Sequence, residues 1–281
     1  MAAVCAQGLV AFLLCSFAHA VMVPAQNAGR LGSLPQKEVS MLQSSVNVQP
    51  SAVWQARLDK DVPTVVIDLD AAPEDRWKNA TAHWVKMGVL PMNLNVAPPR
   101  NGSREGKLLR AMMAEVDDEF LREMKGIIAD LRLPERMVSR LLLNNLGYEI
   151  FRAGCSGVLA AMPNGTVVHG RNMDYTGTFK TGDGRELHLP DVLLQVLWMR
   201  GGKPLFTSVQ WPGFTGIHTA MRFGSWSFEQ NTRSHTVPPS FQHGLKYGPR
   251  GFLLSARKIM ETTPDFEAAV EKLRRLDLMA P

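Results

Sequence analysis

Cysteine is scarce in this chain. There are three in 281 residues, and two of them, Cys5 and Cys15, stand in an apolar N-terminal stretch. A disulfide framework is thereby excluded as the source of stability, and a chain of this length can bury enough core to do without one. Dense runs of lysine or arginine are also missing. The net charge is only +5, spread along the chain, which argues against a nucleic-acid partner and suits a mild attraction to anionic lipid or an acidic partner. Past the N-terminal stretch, nothing approaches the roughly 18 consecutive apolar residues of a membrane span. No repeat or low-complexity tract occurs, and no metal or cofactor is expected. What is present is an ordinary globular balance, 45% hydrophobic and 20% charged, enough for one large domain or two small ones.

Residues Gly8 to Phe17 are almost wholly apolar and lead into Ala18-His19-Ala20. That pattern reads as a secretory signal over residues 1–20. Residues 21–61, rich at first in Ser, Gln, Asn and Pro, read as a poorly ordered leader. Asn79, Asn101 and Asn164 each open an N-glycosylation sequon. Together with a signal they point to the secretory pathway, with a lysosomal or extracellular destination. Removing the signal leaves Cys155 as the single cysteine. An odd cysteine in a secreted chain is a reactive thiol or an intermolecular bridge, set against the inert buried thiol that free cysteine often is.

The hydrophobic pattern predicts helices first, then strands, then helices. Val62–Asp70 reads as a strand, and Pro73-Glu74 opens a helix carrying Trp77 and Trp84. Lys107–Leu131 reads as one long amphipathic helix, and Pro134–Tyr148 as a second that runs towards Cys155. Two β-type runs, Cys155–Ala161 and Thr166–Asn172, flank Pro163-Asn164-Gly165 and form a hairpin. Further β-rich stretches follow at Val192–Met199, Leu205–Gln210 and Ile217–Glu229, and helices at Phe252–Met260 and Asp265–Leu278. This order indicates an α+β or layered α/β protein.

A two-residue Asn164-Gly165 loop pairs Cys155 with Asp174, so a carboxylate shares the thiol's face of the sheet. The same register turns Arg171 to the other face, and Arg171 joins the site only if a bulge intervenes near Asn172. A thiol attacks as thiolate, which a nearby cation favours, and it needs a base. Six histidines are at hand after the signal: His83, His169, His188, His218, His235 and His243. Alternatively, a cut between Gly154 and Cys155 frees an α-amino group. With an unperturbed pKa of about 7.7–8.0, that amine is able to serve its own side chain as base.

Cys155-Ser156, followed by His169-Gly170-Arg171-Asn172-Met173-Asp174-Tyr175, resembles the acid ceramidase and N-acylethanolamine acid amidase family of N-terminal nucleophile hydrolases, related to the choloylglycine hydrolases. Asp68–Trp77, Leu143–Glu149 and Asp265–Pro281 resemble further family segments, in the family's order. The resemblance implies a four-layer αββα sandwich, incomplete at the C-terminus, with a helical N-terminal α-subunit. It divides the chain into an α-subunit-like segment (62–154) and a partial β-subunit-like segment (155–281). It implies self-cleavage before Cys155, an α/β heterodimer, an N-acyl lipid substrate, and contact with a membrane surface or a lipid-presenting protein. By position, Cys155 is nucleophile and base, Asp174 anchors the amine, and Arg171 stabilises charge. Asn231, in Asn231-Thr232-Arg233, is an oxyanion or substrate candidate, although the family carries an acid where Thr232 stands. The family also commonly has Thr-Ser where this chain has Ser156-Gly157, and it continues into further strands beyond the position of Pro281. Two other readings stay open: a Cys-His hydrolase without self-cleavage, and a truncated, non-catalytic lipid-binding homologue.

Overall fold

A computed structural model describes residues 62–91, 100, 102–150, 154–163, 167–174, 177–231 and 251–276. It also gives three short N-terminal strands, β1 (Ala3–Ala6), β2 (Val10–Ala11) and β3 (Met22–Val23). The main sheet has six strands. Its core is β9 (Leu194–Arg200) and β10 (Lys203–Gln210), joined through Gly201-Gly202. Both glycines have positive φ, 59° and 69°, the backbone twist that a two-residue hairpin turn requires. β4 (Thr64–Asp68) adds parallel to β9 on one side. On the other side, β11 (Thr219–Arg222) and β12 (Trp226–Glu229) add antiparallel, and β1 pairs with β12. β1 falls within the segment read as a signal.

Side chains alternate between the two faces of this sheet. One face carries Ile67, Val196, Trp198, Phe206, Ala220 and Phe228, all buried. It is covered by α1 (Lys78–Lys86), α3 (Asp118–Asp130) and α5 (Phe252–Thr262). Trp77 meets Trp198 edge-on, Phe228 packs on Phe252, and Trp84 Nε1 donates to the Val192 carbonyl at 3.0 Å. The opposite face carries Thr219, Ser227 and Glu229. Against it lies a separate hairpin, β5 (Gly154–Ala161) with β6 (Val167–Asp174). Helices, sheet and second sheet thus stack in order, an α+β arrangement. The remaining elements are α2 (Arg104–Glu115), α4 (Val138–Ile150), α6 (Phe266–Arg274) and a small hairpin of β7 (Thr178–Lys180) with β8 (Glu186–His188).

The single helix expected over Lys107–Leu131 is two. Val116 is extended (φ −76°, ψ 134°), and the Asp117 side chain accepts from the Glu119 amide to start α3. A capping aspartate within an apolar-periodic run interrupts the helix without disturbing the stripe. Similarly, the one β-rich stretch at Ile217–Glu229 is two strands with a turn at Gly224.

The two halves are clamped by a buried ionic cluster. Arg257 of α5 is fully buried and donates twice to Glu123 of α3, at 2.6 and 2.7 Å. It donates further to Glu261 at 2.9 Å and to the Thr215 carbonyl at 3.0 Å. Its guanidinium lies 4.3 Å from the Trp198 ring centre. Glu123 also accepts from Trp77 Nε1 (2.7 Å) and Arg76 (2.9 Å). Arg76 continues to Glu119 (2.6 Å), which also holds Lys258 (2.6 Å). Burial by itself lowers the Arg257 pKa, but Glu123 and Glu261 outweigh it and raise it.

Removing one member of such a cluster strands the others. Glu123→Leu should cost about 3–5 kcal/mol, because Arg257 loses both of its bonds to Glu123 in the interior. Urea denaturation of the variant measures this. Burial tends to raise the Glu119 carboxyl, but hydrogen bonds from Lys258 and Arg76 bring it down to about 2. A lowered carboxylate stabilises the fold fully above its unfolded value near 4.5, and that support drains as pH falls towards 2. Glu119→Gln should therefore flatten the fall in melting temperature over that interval, modestly, because the carboxylate is 25% exposed.

Candidate active site

The hairpin register decides which side chains share a face. Its pairs are Gly154↔Asp174, Cys155↔Met173, Gly157↔Arg171 and Leu159↔His169. This is one residue off the pairing expected from a two-residue Asn164-Gly165 loop. Five residues, 162–166, separate the last pair, Ala161↔Val167, so the connection is longer and odd in number. A one-residue slip exchanges the faces. Arg171 therefore stands on the face of Cys155 with no bulge, correcting the expectation that it points away. Asp174 is paired with Gly154 and not with Cys155, which corrects the expected Cys155–Asp174 pair.

Cys155 is half-buried at the start of β5. Arg171 Nη2 donates to its Sγ at 3.1 Å and to the Gln230 carbonyl at 2.6 Å, while Nη1 donates to Thr219 Oγ1 at 3.2 Å. These bonds bridge the hairpin to β11 and β12. A permanent cation at a thiol favours the thiolate. Next along β6, His169 is buried. Its Nδ1 is 2.7 Å from Ser227 Oγ, and its Nε2 faces Glu229 Oε2 at 3.2 Å. Glu229 Oε1 accepts from Asn231 Nδ2 at 3.0 Å. The Glu229 carboxylate rests directly on Gly157, where an added Cβ would lie 1.6 Å from Oε1.

The histidines divide clearly. His169 is paired with Leu159, four residues along from Cys155, which is about 13 Å of strand. It is too distant to be the thiol's base. His218 is fully buried and packed against the rings of both Trp211 and Phe214. Burial, reinforced by the charge of Arg171, holds it well below the usual histidine range, so it is neutral. His83 and His188 belong to α1 and β8, and His235 and His243 lie outside the described residues. Of the sequon asparagines, Asn79 is exposed on α1, and Asn101 and Asn164 lie outside the described residues. Among the described residues no group of His, Cys, Asp and Glu is disposed to hold a metal ion.

Sequence reasoning missed Glu229, Ser227 and Asn145. Asn145, fully buried on α4, donates to the Leu141 and Gly213 carbonyls, both at 2.9 Å. Its Oδ1 accepts from the Thr215 and Gly216 amides at 2.7 and 3.2 Å. It thereby fixes the loop that carries Trp211, Phe214 and His218. An asparagine inside a helix beside an apolar run was the available signal, since an unsatisfied amide is costly there.

No family model matches this chain. Curated proteins similar to it include the following three. The N-acylethanolamine-hydrolyzing acid amidase of Rattus norvegicus is 26% identical over 78% of this chain and 58% of its own length. Acid ceramidase of Mus musculus is 25% identical over 78% of this chain and 59% of its own length. The N-acylethanolamine-hydrolyzing acid amidase of Caenorhabditis elegans is 25% identical over 76% of this chain and 61% of its own length. The chain therefore spans about three fifths of the relatives it matches. A solved structure of the Caenorhabditis elegans ortholog of that amidase gives a TM-score of 0.34 at 19% identity, over 44% of this chain and 51% of its own, too slight a likeness to argue from.

Asn145→Leu should cost about 2–4 kcal/mol, since two buried amides and two carbonyls lose their partner at once. It should also loosen the 211–218 loop, read as faster hydrogen exchange at Thr215 and Gly216.

Proposed function

We propose that this chain, a relative by sequence of the acid ceramidases and N-acylethanolamine acid amidases, hydrolyses the amide bond of N-acyl lipids with Cys155 as nucleophile. The observation that carries this reading is the hydrogen bond from buried Arg171 to Cys155 Sγ, at 3.1 Å, at the second residue of β5. The curated relatives are named for amide hydrolysis of ceramide or N-acylethanolamine, which supplies the substrate class.

In this reading the chain cuts itself between Gly154 and Cys155. The new α-amine then serves as base for its own thiol, at a pKa near neutrality. Asp174 is the anchor for that amine, and its place opposite Gly154 in the ladder suits the role. The Cys155 sulfur attacks the substrate carbonyl, the amine proton passes to the leaving nitrogen, and water then hydrolyses the acyl-thioester. Arg171 steadies the thiolate. Asn231 gives one amide hydrogen to Glu229, and its second is the donor for the oxyanion. The outward face of the hairpin, where Val158 is 63% exposed, is the place that this reading assigns to a fourth, helical layer.

The two products stay together as a heterodimer. Glu123 and Arg257, β4 and β9, and Asn145 and Thr215 all join residues on opposite sides of the cut. No described helix is long and apolar enough to cross a membrane. In this reading the lipid is taken from a membrane surface or a presenting protein, within the secretory or lysosomal route.

Purified protein incubated at about pH 4.5, near the ordinary carboxylate range, should yield a fragment beginning Cys155-Ser156-Gly157. That fragment should co-elute with the product ending at Gly154 on gel filtration and should be missing from Cys155→Ala. The cut protein should hydrolyse a fluorogenic N-acyl amide. An uncut chain that still hydrolyses it would favour a Cys-His mechanism. Lipid binding without hydrolysis in both proteins would identify a non-catalytic binder.

A further inference from the structure

The hairpin and the sheet together bury an arginine beside the thiol without giving it a carboxylate. Arg171 is 1% exposed, and its partners, Cys155 Sγ, Thr219 Oγ1 and the Gln230 carbonyl, are uncharged acceptors or the thiol itself. Among the described residues it forms no ion pair. A buried cation of this kind is costly unless negative charge stands near it. One carboxylate is buried across the same interface. Glu229 is 3% exposed and rests on Gly157, the residue paired with Arg171 across the hairpin.

Glu229 is held firmly there. Asn231 donates to Oε1, and His169 faces Oε2. His169 is in turn fixed by Ser227, which sits one residue pair along β12 from Glu229. Thr219, the cross-strand partner of Glu229, is also the hydroxyl that receives Arg171. The two charged groups are therefore tied to opposite members of one strand pair. Gly157 is the condition for this arrangement. Any side chain there would occupy the space of the carboxylate.

We propose that Glu229 is the buried counter-charge of Arg171, a positioning residue that sets how readily Cys155 ionises. The idea rests on Cys155 being a reactive thiol, and not on amide hydrolysis itself. Arg171 favours the thiolate, and a carboxylate two residues along the same strand face opposes it. The ionisable groups around Glu229 are Cys155 from β5, Arg171 and His169 from β6, and neutral His218 from the segment before β11. Ser227 and Thr219 bring only hydroxyls. Of these, His169 faces the carboxylate at 3.2 Å, and Arg171 is the permanent cation.

The test is the pH dependence of Cys155 alkylation by iodoacetamide in the uncut full-length chain, read by mass spectrometry of the Cys155 peptide. Glu229→Gln should lower the titration midpoint and speed alkylation at pH 6 by about threefold, half a pKa unit. Glu229→Asp keeps the charge and should stay near the wild-type midpoint. Simple loosening of the site would accelerate alkylation at every pH without moving the midpoint. An unmoved or raised midpoint in Glu229→Gln overturns the proposal. If that variant does not fold, Glu229→Ala decides by the same criterion, a lowered midpoint supporting the proposal and an unmoved or raised one ending it. The alkylation readout needs no amidase activity. An inactive wild-type protein would count against the hydrolase reading alone.

Discussion

The buried pairing of Arg257 with Glu123 is the interaction on which the rest of the molecule depends. It sits between the helices and the covered face of the main sheet, with Trp198 under the guanidinium. Every donor and acceptor nearby is recruited to it: Trp77, Arg76, Glu261 and the Thr215 carbonyl. A buried ion pair of this sort adds less net stability than its hydrogen bonds suggest, because both charges have left water. What it enforces is geometry. Shifting α3 or α5 by an ångström would strand a charge, so the two helices have one arrangement over the sheet. Thr215, which also bonds to Asn145, passes that constraint to the loop ahead of β11.

From that fixed sheet the site follows. Arg171 reaches from the hairpin to Thr219 and to the Gln230 carbonyl, and His169 reaches to Ser227 and Glu229. One of the polar side chains that join hairpin to sheet, Arg171, is thus the same one that holds Cys155. A purely apolar interface would hold the two layers as well, but it would leave the thiol in a medium that disfavours its charged form. Here the interface is polar at the nucleophile and apolar on the helical side of the sheet.

Gly157 shows how a small residue shapes this chemistry. It lies between Cys155 and the bulk of β5, opposite Arg171, and its missing side chain is the space that Glu229 fills.

Much of this protein was legible in the sequence by itself. The succession of helices, strands and helices, the hairpin around residue 164, and the singular cysteine all followed from periodicity, turn residues and counting. These are local properties, set by which side chains neighbour one another along the chain. The break at Val116 and the slip of one residue in the hairpin were not legible. Each depended on a balance that local pattern leaves nearly even: a capping aspartate against a continuous stripe, and a five-residue connection against a two-residue turn. Only the tertiary structure decided that Arg171 and Cys155 share a face, that Glu229 meets Gly157 and His169 beside them, and that Asn145 holds the loop ahead of β11. Those residues are separated by tens of positions, and burial brings them together. A buried polar group must find a partner wherever the fold supplies one, and sequence distance says nothing about where that is.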